Sequence, residues 1–148
     1  MKIWKTGLIV LVLAGCVAVA APTLRAEDKG AEKKKDDAVP KTYAEAVKKI
    51  QALMSSIDAT IKAGKYKAAH EDAAAIITVS KSLGELALAE GSGVPKDKVK
   101  EVNKTAKDLG EAADSFHDAA DEEKTAVAKE HYAHMRTLVE SLVKLVPK

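Results

Sequence analysis

After Pro40 the apolar residues fall at alternating intervals of three and four, and they do so in four successive runs. Tyr43, Val47, Ile50, Met54, Ile57 and Ile61 make the first, with Gly64 as its stop. Ala69, Ala73, Ile76, Val79, Leu83 and Leu86 make the second, closed by Gly91-Ser92-Gly93. Val99, Val102, Ala106, Leu109, Ala113, Phe116 and Ala120 make the third, and Ala128, His131, Met135, Leu138, Leu142 and Leu145 the fourth. Such spacing puts every apolar side chain of a run on one face of a helix. Pro95 suits a first turn. Asp121-Glu122-Glu123 is predicted to open the fourth helix, where free N–H groups favour acids, and Pro147 to end it. No period-two run bounded by turn residues is present. Each predicted helix is about 23–27 residues, or ~35–40 Å, and the short connections force antiparallel neighbours. The expected fold is all-α, an antiparallel up-down-up-down four-helix bundle over residues 41–148.

Two segments precede the bundle. Residues 27–40 are almost all charged and carry too little apolar surface to offset the entropy of ordering, so a flexible spacer is expected. Residues 1–26 have the form of an export signal. Lys2 and Lys5 make a basic start, and the apolar stretch from Gly7 to Gly15 is too short to span a bilayer. Two processing routes are open. Leu13-Ala14-Gly15-Cys16 has the form of a lipobox, with Cys16 as the lipidated residue, although the chain stays apolar after it. Leu24-Arg25-Ala26 before Glu27 suits ordinary signal peptidase. The mature protein is then periplasmic or secreted, or alternatively lipid-anchored to a membrane, with no transmembrane span of its own. Cys16 is the single cysteine, so the domain has no disulfide and depends on its core.

Charge narrows the partners. Removing residues 1–26 takes away Lys2, Lys5 and Arg25 and no acid, so 24 basic residues fall to 21 against 22 acidic ones. The mature chain is nearly neutral, and nothing in it calls for nucleic acid. Its aromatics are Tyr43, Tyr66, Phe116 and Tyr132, too few for a base-stacking platform or an aromatic cage. A protein partner is not identified by the sequence. No nucleophile–base signature and no phosphate-binding glycine loop is present, which points away from an enzyme.

The histidines carry what chemistry there is. Counting along antiparallel helices puts His70, His117, His131 and His134 in the half of the bundle that holds the first and third turns, about 8, 5, 15 and 20 Å from that end. The same half is rich in alanine, whereas the other half is an aliphatic core. His131 lies on the predicted core stripe, and Asp114 and His117 are three apart on one helix face. His70, His117, His131 and Asp114 are therefore the candidate ligands of a divalent transition metal such as Zn, Cu or Ni. The Glu-x-x-His pairs of a di-iron bundle and the H-E-x-x-H of zinc proteases are absent.

With four stripes and an export signal in view, residues 41–146 resemble the periplasmic four-helix class that includes the cytochromes c-prime and the soluble haem-b cytochromes. The likeness is architectural. The mature chain lacks the C-x-x-C-H that would attach haem covalently. What the haem-b resemblance implies is an axial methionine on the first helix and a histidine on the last, a place that Met54 and His131 fit. The chain is more similar still to small exported four-helix proteins of no known function. The leading expectation is a non-enzymatic binding or structural protein, with metal bound through its histidines. The alternative is a redox carrier holding non-covalent haem b.

Overall fold

The computed structural model describes residues 39–147, so the export signal, Cys16 and most of the spacer lie outside the described residues. Four helices form: α1 (Tyr43–Lys62), α2 (His70–Leu88), α3 (Val99–Asp121) and α4 (Thr125–Lys144). Helices adjacent in sequence pack on one another, and α1 closes against α4. Among the described residues there is no strand. None of their helices is long and apolar enough to cross a membrane.

Local chemistry sets the helix ends. Thr42 caps α1: its hydroxyl accepts the Glu45 N–H at 3.2 Å, and the Glu45 carboxylate accepts the Lys41 N–H at 2.9 Å. At the other end, Gly64 takes a φ of +71°. The Lys65 N–H then reaches the Thr60 carbonyl and the Gly64 N–H reaches that of Ile61, a Schellman closure. Residues Tyr66–Ala69 make a 3₁₀ turn before α2, and Lys96–Lys98 another before α3.

The helices are 20, 19, 23 and 20 residues long, three of the four shorter than expected. The 3₁₀ turn Tyr66–Ala69 takes up the difference at the start of α2. The start of the fourth helix is also displaced. Asp121 is the last residue of α3, and the Lys124 N–H bonds the Ala119 carbonyl at 2.8 Å to close that helix. Glu123 sits at φ 56° in this closure, the place glycine usually takes. The acids thus end one helix instead of starting the next.

The core follows the stripes, with one change of phase. On α4 the buried residues are Ala128, Met135, Val139 and Leu142, while Leu138 and His131 are half-buried. Tyr132 flanks the core on the other side, and its hydroxyl donates to the Met54 carbonyl at 3.4 Å. At the end far from the histidines, Tyr43 is fully buried and donates to the Leu142 carbonyl at 3.0 Å. Burial pushes the Tyr43 phenol up to about 12. No buried side-chain polar atom lacks a partner among the described residues.

Candidate metal centre

Three side chains meet where α2 begins and α3 ends. His70 is the first residue of α2. Its backbone is held by the preceding 3₁₀ turn, in which Tyr66 and Ala69 are buried. His117 follows Phe116, whose ring is wholly buried and keys that turn of α3 into the core. Asp121 lies four residues beyond His117, one turn along the same face. The imidazoles of His70 and His117 have ring centroids 4.2 Å apart, tilted by 40°. One donor atom from each of His70, His117 and Asp121 falls within 4.8 Å of the others. An ion about 2.1 Å from each donor needs them roughly 3.5 Å apart, so the three side chains must draw closer to hold one. Both histidines are half-buried and Asp121 is exposed, so the cluster opens to solvent on its carboxylate side. The Nδ1 of His117 also lies 3.4 Å from the Asp118 carboxylate, a long contact from an exposed neighbour.

The predicted ligands divide. His70 and His117 come together, and His70 stands at the helix start rather than ~8 Å into it, because the helix begins at residue 70 and not at Lys65. Asp114 is not in the cluster. It lies a turn below His117, exposed, on a trough between α2 and α3 that also holds Ile77, Lys81 and Lys107. His131 is half-buried on α4 and His134 exposed, both outside the cluster. Met54 is buried in α1, and the α4 residue that touches its backbone is Tyr132. Sequence reasoning missed Asp121 because it read the acidic run as a helix start. The available signal was the spacing of four between His117 and Asp121, one full turn, in place of the three between Asp114 and His117.

The chain matches no known family model, no curated protein and no solved structure.

Proposed function

We propose that this is a non-enzymatic exported protein whose bundle binds one divalent transition-metal ion through His70, His117 and Asp121. The observation that carries the reading is the juxtaposition of two imidazoles and a carboxylate from two different helices. Two imidazole nitrogens and one carboxylate oxygen suit Zn, Cu or Ni. The electrostatics favour a cation there as well. The last turn of α3 holds no basic residue, and Asp118 and Asp121 stand at its carbonyl end beside Glu122, which Lys124 pairs with at 2.6 Å. Acids at the negative end of a helix dipole are mutually unfavourable, and a bound cation offsets both the dipole and the charges. Nδ1 of His117 has the Asp118 carboxylate 3.4 Å away, so Nε2 is the nitrogen we assign to the ion. Export rests on the signal in residues 1–26, and a lipid on Cys16 would tether the bundle through its charged spacer.

Calorimetric titration with Zn, Cu and Ni tests the reading. Saturable binding of one ion per chain is expected, lost in both His70→Ala and His117→Ala and retained in His134→Ala. Absence of saturable binding, or binding that survives both of the first two changes, would reject it.

A further inference from the structure

The near-neutrality of the chain hides a separation of charge along the bundle axis. The antiparallel helices place residues 41–52, 79–110 and 135–147 in the half where α1 begins, and residues 53–78 and 111–134 in the half that holds the histidine cluster. The first half carries 11 basic and 7 acidic side chains, the second 5 basic and 10 acidic. One end of the bundle is therefore positive and the other negative, and the two excesses nearly cancel.

Lys41, Lys96 and Lys144 stand at the extreme of the positive end, on the lead into α1, the α2–α3 connection and the last residue of α4. All three are exposed, and none has its ammonium in an ion pair among the described residues. Apolar surface accompanies them. Val39 is 77% exposed and Leu88 68%, and both lie at this end. Val127, the other large apolar side chain exposed among the described residues, is at the opposite end and 40% exposed. Val39 and Pro40 also wall a cleft of about 540 Å³ that Lys41, Lys48 and Lys49 line as well.

We propose that the positive end docks on an anionic phospholipid bilayer, with Val39 and Leu88 entering the headgroup layer and the lysines meeting lipid phosphates. Exposed apolar side chains set among lysines suit that interface, because each lysine stem can lie along the apolar layer with its ammonium in the headgroups. Every lysine near an anionic surface adds attraction while the acidic end is repelled, so the bundle stands on its positive end. The chain preceding Val39 joins the bundle at this same end, so a lipid on Cys16 would tether the molecule by the face that docks. The cluster of His70 and His117 then lies roughly 30 Å from the surface, at ~1.5 Å per residue along α3. Docking does not depend on whether that cluster holds a metal.

Vesicle sedimentation tests this with the exported protein carrying Cys16→Ser, which cannot be acylated. Binding is expected to equimolar phosphatidylglycerol–phosphatidylcholine vesicles, weakening at high salt, and not to phosphatidylcholine alone. Lys41→Gln/Lys96→Gln/Lys144→Gln should weaken it at least about tenfold. Lys65→Gln/Lys67→Gln/Lys129→Gln removes the same charge from the other end and should change it less than about twofold. With an environment-sensitive dye on the single cysteine of Val39→Cys, the anionic vesicles should shift the emission to the blue, and on Val127→Cys they should not. No binding to anionic vesicles, equal binding to neutral ones, equal weakening by the two triple variants, or a blue shift at position 127 as large as that at 39 would each overturn the proposal. Self-association at low salt, lost in the first triple variant and without vesicle binding, would give the positive end to the acidic end of a second copy and overturn the bilayer assignment.

Discussion

The two ends of the bundle solve different problems. At the end where α1 begins and α4 finishes, Leu83, Val102 and Leu142 are fully buried, and the buried Tyr43 hydroxyl is hydrogen-bonded to a carbonyl. At the opposite end many of the buried positions are alanines, among them Ala69, Ala113, Ala119, Ala120 and Ala128, with Phe116, Ile57 and Tyr66 supplying bulk. That end also holds a residue other than glycine at positive φ, two adjoining imidazoles and a helix terminus crowded with acids. One end is arranged for stability. The other keeps unfavourable charge and a strained turn, which is where a ligand has most to offset.

The largest effect expected from this contrast is at the aliphatic end. Leu83→Ala should cost about 2–5 kcal/mol in chemical denaturation, through lost transfer energy and the cavity left behind. Zinc should then restore the same increment as in the wild type. Stabilisation by zinc comes next. At a free concentration 100 times the Kd it should add about 2.7 kcal/mol, and His117→Ala should abolish this while changing the metal-free protein by under ~1 kcal/mol. The increment should shrink on acidification, because an imidazole must shed its proton to bind metal. If His117→Ala proved as damaging without metal as Leu83→Ala, the two ends would not differ as described.

Tyr43→Phe should cost about 1 kcal/mol near neutral pH through loss of one hydrogen bond, because the Leu142 carbonyl still accepts from the Leu145 N–H at 3.1 Å. The alkaline limb gives a second reading. The fold holds the phenol neutral, with its titration raised from 10.0 to about 12. Above pH 10 the unfolded chain therefore ionises first, and stability falls until about pH 12. Tyr43→Phe should lack that particular loss when the two melting profiles are compared. The smallest change is a gain. Glu123→Gly should stabilise by about 1 kcal/mol, because glycine bears the left-handed conformation without the steric penalty.

The fold was largely legible in the sequence because the three-and-four spacing of residues such as Val99 to Ala120 leaves a helix only one face to bury. Phase and boundaries were less so. On α4, His131 and Tyr132 lie on either side of the Ala128–Met135 line, and spacing alone could not say which of the two the core would take. The site was half legible. His70 and His117 were visible as residue types, but their meeting depends on where α2 starts, and a 3₁₀ turn that periodicity does not reveal sets that start. Asp121 was hidden by the ambiguity of an acidic run between two helices. Favourable dipole charge predicts a helix start there, and the hydrogen bonds of Glu123 and Lys124 make it a helix end.

The central claim is that one metal ion joins α2 to α3 at His70 and His117. Its most direct test is proton–nitrogen NMR of the four imidazoles during zinc titration, with each histidine assigned by its own substitution. Stoichiometric shifts of the His70 and His117 ring nitrogens are expected, with those of His131 and His134 unmoved. Shifts centred on His131 or His134, or no shift at His70 and His117 at saturating zinc, would contradict the account.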